Sequence, residues 1–209
     1  MSPGRFITFE GGDGVGKSTQ ARLLVDSLGK IGIAAIQTRE PGGSPGAEAI
    51  RKILLSGDAE AWDAESEALL MVAARRDHLR RTIRPVLEAG KWVVCDRFSD
   101  STEAYQGYGR GLPRDVLAAL HRLIAGDFAP DLTVILDLPV EQGLKRAASA
   151  NRFERMGTDF HRRMAEGFRE IARREPKRCV LIDGGRNIPA VQADIATAVG
   201  ERLGIKLPT

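Results

Sequence analysis

The residues most able to do chemistry lie close to the amino terminus, where a glycine-rich run ends in Lys17 and Ser18. The run begins at Gly11 and follows the spacing G-x-x-x-x-G-K-[ST]. Glycines allow consecutive backbone N–H groups to face phosphate oxygens, the lysine can reach the β- and γ-phosphates, and the hydroxyl suits Mg²⁺. A glycine-rich turn that only joins two elements is the alternative. A strand before the run and a helix after it favour the nucleotide-phosphate site.

Other candidate residues stand where apolar runs end. Residues 92–95 predict a buried strand, and Asp96 and Arg97 follow it directly. A carboxylate there would hold Mg²⁺ or one of its waters, and an arginine offers a planar fork that matches a phosphate. A surface salt bridge is the alternative. The turn over residues 38–43 also follows an apolar run, at the edge where ligands of open α/β sheets collect, although a plain Pro-Gly turn explains it equally well.

Strands and helices alternate around these residues. β-Branched and aromatic runs predict five strands, at 5–9, 34–38, 92–95, 132–138 and 179–183. Apolar residues at helical spacing predict helices between them, the longest over 64–89 and others over 114–126 and 188–203. This alternation predicts an α/β fold with a five-stranded, mostly parallel sheet flanked by helices, in a single domain over residues 1–209.

The bulk composition is that of an ordinary globular protein. The 209 residues are 43% hydrophobic and 28% charged, with a net charge of +3 that does not call for a nucleic-acid partner. No apolar stretch approaches a membrane span. The two cysteines and the three histidines (His78, His121 and His161) show no metal-ligand spacing, and isolated thiols suit a reducing compartment. We therefore expect a cytoplasmic enzyme.

Two stretches leave alternatives open. Met71, Arg75 and His78 share one face of the long helix, and this face either lines a pocket or is a solvated charge beside core packing. Between residues 145 and 178 there are eleven basic and five acidic residues, most of them expected on solvated helix faces. The segment 151–158 within this stretch is best placed to act as a short basic lid, which we predict over about 140–160.

With these residues in view, the chain resembles a thymidylate kinase over nearly its whole length. The resemblance rests on five motifs at fixed order: Phe9-Glu10-Gly11, Thr38-Arg39-Glu40-Pro41-Gly42-Gly43, Ala73-Ala74-Arg75, Asp96-Arg97, and Ser101-Thr102-x-Ala104-Tyr105-Gln106-Gly107. It implies the P-loop nucleoside monophosphate kinase fold. It also implies transfer of the γ-phosphoryl group of ATP to dTMP, giving dTDP, with Mg²⁺ as cofactor and a homodimeric enzyme.

The resemblance also implies roles at matching positions. Lys17 and Ser18 would serve the ATP phosphates, with Ser18 and Asp96 on the Mg²⁺ side. The predicted ATP-binding residues are Gly11, Gly12, Asp13, Gly14, Val15, Gly16, Lys17, Ser18 and Thr19. The predicted dTMP-binding residues are Asp13, Glu40, Pro41, Arg51, Met71, Arg75, Arg97, Ser101, Thr102, Tyr105 and Gln106.

The resemblance implies a distinct role for several of these dTMP-binding side chains. Asp13 would accept a hydrogen bond from the sugar 3′-hydroxyl, and Arg97 would grip the acceptor phosphate. Arg75 and Thr102 would meet the thymine ring, while Pro41 and Arg51 shape the pocket. Tyr105 would fill the space of a ribose 2′-hydroxyl, supported by Gln106.

The sequence departs from the family pattern at three positions. Gly14 follows Asp13 where other members carry an arginine, which resembles the bacterial type whose lid supplies the transition-state cation. That cation would be Arg146, Arg152 or Arg155. Met71 occupies the position of a phenylalanine that stacks on thymine, and Asn151 replaces the acidic residue that usually precedes Arg152.

Three rival functions remain from the sequence alone. A kinase for another nucleoside monophosphate is the nearest rival. A GTPase switch or a P-loop ATPase that drives a partner is the second, but no Asn-Lys-x-Asp motif follows the fourth strand. A phosphate-binding protein without catalysis is the third, and Asp96 together with the basic lid argues against it.

Overall fold

The fold was examined in a computed structural model, which describes residues 4–147 and 152–208. Five strands form one sheet in the order β2-β3-β1-β4-β5, and each of the four neighbouring pairs is parallel. The strands are β1 (Phe6–Glu10), β2 (Ala35–Arg39), β3 (Trp92–Asp96), β4 (Leu132–Asp137) and β5 (Cys179–Asp183). All five predicted strands and the predicted α/β class are thereby confirmed.

Helices connect the strands and cover both faces of the sheet, as a parallel sheet requires. The helices of the described residues are α1 (Lys17–Lys30), α2 (Pro45–Leu55), α3 (Ala64–His78), α4 (Arg84–Glu88), α5 (Ser99–Thr102), α6 (Arg114–Ala125), α7 (Val140–Arg146), α8 (Thr158–Arg174) and α9 (Ile188–Leu203). A π-helical turn (Leu79–Ile83) joins α3 to α4, so the predicted long helix is nearly continuous. A second π-helical segment (Glu103–Gly109) extends α5.

The apolar strands form the centre of the core. Every residue of β1 is buried, and its Ile7 and Phe9 pack with α1 and α9 on one face of the sheet. On the other face, Phe6 packs with Leu79 and Ile83 from the π-helical turn. Because β1 lies between β3 and β4, the glycine-rich loop that follows β1 emerges at the middle of the sheet edge.

Three apolar residues that stand at helical spacing in the sequence are exposed. Leu69, Ile53 and Val116 have exposed fractions of 56%, 46% and 42%. A run of apolar residues at intervals of three and four spans a wide arc of a helix, and only part of that arc reaches the sheet. Leu123, on α6, is exposed by 81%. Leu69, Val116 and Leu123 therefore leave apolar surface on the neighbouring helices α3 and α6.

Neither a membrane-spanning helix nor a cluster of metal-binding side chains is present among the described residues. None of the helices within 4–147 and 152–208 combines the length and apolar character that a membrane span requires. In the same ranges, no group of three or more His, Cys, Asp or Glu side chains is arranged to hold a metal ion.

Candidate active site

The glycine-rich loop, or P-loop, lies between the carboxyl end of β1 and the amino end of α1. Gly14 and Gly16 have φ angles of 71° and 97°, a conformation that glycine adopts without steric cost. A Cβ atom on Gly14 would lie 2.0 Å from the carbonyl oxygen of Gly143 on α7. Backbone packing of the loop against α7 therefore explains why no arginine stands at position 14.

Two polar side chains at the start of α1 complete this loop. Lys17 is 7% exposed, and its Nζ donates to the carbonyl oxygen of Gly12. Burial, and secondarily the nearby Arg97, lower the pKa of Lys17 to about 8. A lysine held this way can exchange a backbone carbonyl for phosphate oxygens, whose negative charge stabilises its protonated form.

Ser18 and Asp96 provide oxygen atoms that suit Mg²⁺. The Ser18 hydroxyl donates to Oδ2 of Asp96 across the gap between α1 and β3. The parallel register of β1 and β3 sets this approach, because Phe9 pairs with Asp96. Mg²⁺ is commonly held by one or two carboxylates together with substrate phosphates and waters. The two side chains therefore fit the cation, with nucleotide phosphates supplying further ligands.

Arg97 is held in an uncommon backbone conformation at the end of β3. Its φ angle of 70° places it in the left-handed region that non-glycine residues rarely adopt. Its amide donates to Phe9 O at 2.9 Å, and its Nη1 donates to Gly11 O at 2.9 Å. Such strain persists only where neighbouring contacts impose it, and it concentrates at functional sites. The result is a guanidinium aimed across the P-loop.

Asp13 and Tyr105 meet this guanidinium. Arg97 Nη2 donates to Asp13 Oδ1 at 2.7 Å, and the Arg97 guanidinium lies 4.9 Å from the centre of the Tyr105 ring. The Tyr105 hydroxyl donates to Asp13 Oδ2 at 3.1 Å. Burial acts to raise the pKa of Asp13, but the Arg97 and Lys17 cations outweigh it and hold this pKa below its usual value. Asp13 is therefore an anion that both neighbours orient.

Glu10 is a buried carboxyl group that sequence reasoning did not assign to the site. It accepts hydrogen bonds from the Phe98 amide at 2.7 Å and from the Ser101 hydroxyl at 2.5 Å. Burial, followed by the nearby Asp100 carboxylate, raises the pKa of Glu10 to about 7. Glu10 thus fixes the backbone directly after Arg97. A carboxylate at the end of an otherwise uncharged, buried strand was the available signal.

All eleven residues predicted for dTMP lie around a single cavity, which we call the Arg75 cavity. Its lining also includes Leu55, Phe98 and Phe153, which the sequence did not point to. The predicted residues in the lining are Asp13, Glu40, Pro41, Arg51, Met71, Arg75, Arg97, Ser101, Thr102, Tyr105 and Gln106. Glu40 and Pro41 of the turn over 38–43 therefore line a pocket, as do Met71 and Arg75 of the α3 face, whereas His78 is not part of its lining.

Arg75 is the centre of a buried polar chain in this cavity. It is 2% exposed, its Nε donates to Glu40 Oε2 at 2.7 Å, and its Nη2 donates to Thr102 Oγ1 and Phe98 O, each at 2.9 Å. His78 Nδ1 lies 3.0 Å from the other Glu40 oxygen. These bonds fix the guanidinium plane and leave its Nη1 without a hydrogen-bond partner among the described residues. That nitrogen is a donor available to a ligand.

A second cavity lies over the P-loop and adjoins the first. This P-loop cavity measures about 550 Å³ and is lined by Lys17, Ser18, Thr19, Asp96 and other loop residues. Asp13, Arg51 and Arg97 line both cavities. Arg51 is oriented by a hydrogen bond from its Nη1 to Pro41 O at 2.7 Å. Two arginines and one carboxylate therefore stand where molecules in the two cavities would meet.

The three arginines proposed for the lid occupy different places. Arg146 lines the P-loop cavity, and its Nη1 donates to Gly184 O at 3.3 Å. Arg152 is fully buried against Glu67 and lines neither cavity. Arg155 is exposed and donates to Gly57 O, outside the lining of both cavities. Asn151 lies outside the described residues.

Glu67 is a second buried acid that sequence reasoning missed. It is fully buried on α3, and its carboxylate meets Arg152 and Gln106. The signal was available, because Glu67 stands one helical turn before Met71 on the face that continues to Arg75. A charged residue in line with a pocket face was a candidate for a pocket role.

Comparisons with known proteins agree with this geometry. The family model for thymidylate kinase matches residues 9–195. Among curated proteins, a thymidylate kinase of Caulobacter vibrioides is 55% identical over 208 residues, covering 98% of this chain and all of that protein. A thymidylate kinase of Rhodopseudomonas palustris (strain ATCC BAA-98 / CGA009) is 55% identical over 207 residues, covering 96% of this chain and 90% of that protein.

A solved structure shows the same fold. The crystal structure of thymidylate kinase from Ehrlichia chaffeensis superposes with a TM-score of 0.78 at 37% sequence identity, covering 94% of this chain and 99% of that one. Sequence similarity extends over nearly the full length in each case. On this similarity, the chain belongs to the thymidylate kinase family.

Proposed function

We propose that this protein transfers the γ-phosphoryl group of ATP to dTMP, producing dTDP and ADP. The proposal rests on one observation: the P-loop cavity and the Arg75 cavity adjoin, and Asp13, Arg51 and Arg97 line both of them. ATP would occupy the first cavity and dTMP the second, so that their phosphates face one another. Family membership supports this choice of substrates.

The reaction needs positioning and charge neutralisation more than covalent chemistry. A phosphate oxygen of dTMP forms a bond to the γ-phosphorus while the bond from that phosphorus to the β,γ-bridging oxygen breaks, and ADP leaves with the electron pair. Lys17 would hold the β- and γ-phosphates of ATP, and Arg97 would hold the acceptor phosphate. Mg²⁺, held by Ser18 and Asp96, would neutralise phosphate charge when bound. None of these residues needs to gain or lose a proton.

Among the three lid arginines, we assign the transition-state cation to Arg146. It is the member of the three that lines the P-loop cavity, and its hydrogen bond to Gly184 O leaves other guanidinium donors for phosphate oxygens. Arg152 is committed to Glu67, and Arg155 points to the backbone of Gly57. Charge placed by Arg146 between the phosphates would stabilise the transferring group.

The base and sugar of dTMP would lie in the Arg75 cavity. Arg75 Nη1 is a donor suited to a carbonyl oxygen of thymine, and Thr102 is fixed beside it. Met71 would pack its thioether against the ring. Tyr105 would exclude a ribose 2′-hydroxyl, and Asp13 would accept from the 3′-hydroxyl while keeping Arg97 in place. Its buried position raises the pKa of the Tyr105 phenol well above its usual value, so the phenol remains neutral.

We further propose a homodimer, formed through α3 and α6. The support is the exposed apolar surface of Leu69, Val116 and Leu123 on these adjacent helices. Apolar patches of this kind on a folded protein commonly mark interfaces, and a symmetric dimer would pair the patch with itself.

A cytoplasmic location remains a prediction, to which the free, buried thiols of Cys95 and Cys179 lend support. The proposal includes no nucleic-acid or membrane partner.

ADP release from ATP and Mg²⁺, measured with and without dTMP, tests the proposed reaction. Release that depends on dTMP, with dTDP found in equal amount, is the expected result. Substitution of dUMP, UMP or AMP for dTMP identifies a kinase of different specificity. Rapid ADP release without any acceptor indicates an ATPase and contradicts the proposal.

A further inference from the structure

Arg152 is an arginine with no solvent-exposed surface in the structure. It is the largest of the fully buried side chains in the described residues. A buried guanidinium is tolerated only when its charge is paired and its donors are satisfied. Arg155, three residues later, is exposed to solvent, whereas Arg152 is buried. The burial of Arg152 therefore depends on specific partners.

The contacts of Arg152 join segments that are far apart in the sequence. Its Nε donates to Leu54 O at 3.0 Å, near the end of α2, and its Nη1 donates to Ala59 O at 3.0 Å. Its Nη2 donates to the buried carboxylate of Glu67 on α3. The guanidinium also lies 4.4 Å from the centre of the Phe153 ring. Arg152 thus ties α2, the loop after it and α3 to the segment that leads into α8.

Glu67 carries this connection to the second π-helical segment. One of its oxygens pairs with Arg152, and the other accepts from Gln106 Nε2 at 2.6 Å. Both carboxylate oxygens are therefore engaged, and the side chain is fully buried. Arg152, Glu67 and Gln106 form a polar chain in which each side chain is fully buried and each orients the next.

Residues at or next to the contacts of Arg152 and Glu67 form part of the wall of the Arg75 cavity. Gln106 lines it directly, Phe153 follows Arg152 in sequence, and Leu55 follows Leu54. None of these three lines the P-loop cavity. We infer that Arg152 and Glu67 are positioning residues for the wall that faces the acceptor's base and sugar, and that Arg152 does not act on the transferring phosphoryl group. This inference rests on the proposed function, in which dTMP occupies the Arg75 cavity.

The two possible roles of Arg152 predict different kinetics. Loss of a cation from the transition state lowers kcat while leaving the KM for dTMP nearly unchanged. Loss of a brace behind the pocket wall weakens dTMP binding far more than ATP binding, because Leu55, Gln106 and Phe153 line the Arg75 cavity and not the P-loop cavity. The ratio of the two effects therefore separates a positioning residue from a catalytic one.

The test uses Glu67→Gln and Arg152→Lys, which change side-chain volume little, with Arg173→Met on the exposed face of α8 as a matched loss of a surface arginine. We expect both test variants to raise the KM for dTMP by at least about tenfold, because displacement of the wall residues would misalign their contacts with dTMP. We expect kcat at saturating dTMP and the KM for ATP to change by less than about threefold. Calorimetric titration of dTMP without ATP should show the same loss of affinity.

Irreversible loss of folded enzyme lowers kcat without changing a KM, whereas reversible unfolding raises the KM for both substrates. An unchanged KM for ATP therefore shows that a raised KM for dTMP does not come from unfolding. The double variant Arg152→Met/Glu67→Gln removes both charges and should recover part of the lost dTMP affinity relative to Glu67→Gln alone. An unchanged KM for dTMP in both test variants would overturn the inference. A fall in kcat of about a hundredfold at saturating dTMP with an unchanged KM would overturn it as well and return Arg152 to the phosphates.

The wild-type enzyme separates this test from that of the proposed function. If ADP release from wild type does not depend on dTMP, the proposed reaction fails, whatever the variants do. If wild type is active and the variants behave like Arg173→Met, the reaction stands and the positioning role fails.

Discussion

Arg97 Nη2 and Asp13 Oδ1 lie 2.7 Å apart, which links the end of β3 to the P-loop through a half-buried ion pair. The side chains are 16% and 18% exposed, so water screens the pair only in part. The pair orients Arg97 before a substrate arrives and keeps Asp13 ionised. It is also the place where the P-loop cavity and the Arg75 cavity meet. The contact between these two residues therefore orders the junction of the two cavities, where we propose that phosphoryl transfer occurs.

Replacement of Lys17 tests the P-loop assignment. Lys17→Ala should reduce dTMP-dependent ADP release by more than about a hundredfold, because it removes the lysine placed to reach both β- and γ-phosphates. The circular dichroism spectrum should remain that of wild type. Lys52→Ala on exposed α2 surface is the control and should be nearly as active as wild type. Activity of Lys17→Ala within about tenfold of wild type would refute the assignment.

Replacement of Arg146 tests the source of the transition-state cation. Arg146→Ala should lower kcat by about 10³-fold, the scale on which arginines contribute to related phosphoryl transfers. Binding of dTMP, measured by calorimetry, should change little because Arg146 does not line the Arg75 cavity. Arg155→Ala, which alters an exposed lid arginine, is the matched control. Near-normal kcat in Arg146→Ala would move the role to another cation, with Arg97 as the first candidate.

The position of the Tyr105 ring predicts that the enzyme prefers deoxyribonucleotide acceptors to ribonucleotide acceptors. A ribose 2′-hydroxyl would meet the ring, and its burial without a partner costs on the order of 1–3 kcal/mol. We expect kcat/KM for dUMP to exceed that for UMP by roughly tenfold to a hundredfold. These two acceptors share a base, so their comparison isolates the sugar.

Two variants of Tyr105 separate shape from hydrogen bonding. Tyr105→Phe should keep most of the sugar preference if the ring itself excludes the hydroxyl, whereas Tyr105→Ala should erode it. Tyr105 also packs edge-on against Phe153, Phe160 and Phe168, so the alanine variant should lose stability too. Equal use of dUMP and UMP by wild type would contradict the placement of Tyr105 against the sugar.

Glu10 should make stability depend on pH. Its pKa is raised from 4.5 to about 7 in the folded protein, so between these values the folded state keeps a proton that the unfolded state releases. The contribution of Glu10 is therefore present below 4.5, falls as pH rises through this window, and is lost above about 7. Urea unfolding across this window should show a steeper fall in wild type than in Glu10→Gln. Parallel pH profiles for the two proteins would show that Glu10 is not the responsible group.

A charge on the apolar face of α6 should interfere with the proposed dimer. Leu123→Glu places a carboxylate on the most exposed apolar side chain of that surface without touching the core. Light scattering coupled to size-exclusion chromatography should give a dimer mass for wild type and a monomer mass for the variant. Leu181→Glu, an exposed site on β5 away from α3 and α6, is the control. A monomeric wild type would contradict the dimer.

The sequence by itself determined the sheet and the order of its motifs. Runs of β-branched and aromatic residues predicted all five strands. The central strands β1, β3 and β4 gave the clearest pattern, because strands that are buried on both faces are largely apolar. The P-loop spacing placed Lys17 and Ser18 after β1, and the apolar run over 92–95 placed Asp96 and Arg97 at the end of β3. Parallel strands bring their carboxyl ends to one edge, so motifs far apart in the chain could be assigned to one site.

The tertiary structure alone decided which charged residues line a cavity and which are buried in the scaffold. Arg146 and Arg152 were equivalent candidates in the sequence, yet the first lines the P-loop cavity and the second is buried against Glu67. Arg152 and Glu67 are 85 positions apart, and no local periodicity links them. The reason is physical: a pattern of apolar residues fixes which face of an element is buried, but the partner of a buried charge is chosen by packing between distant elements.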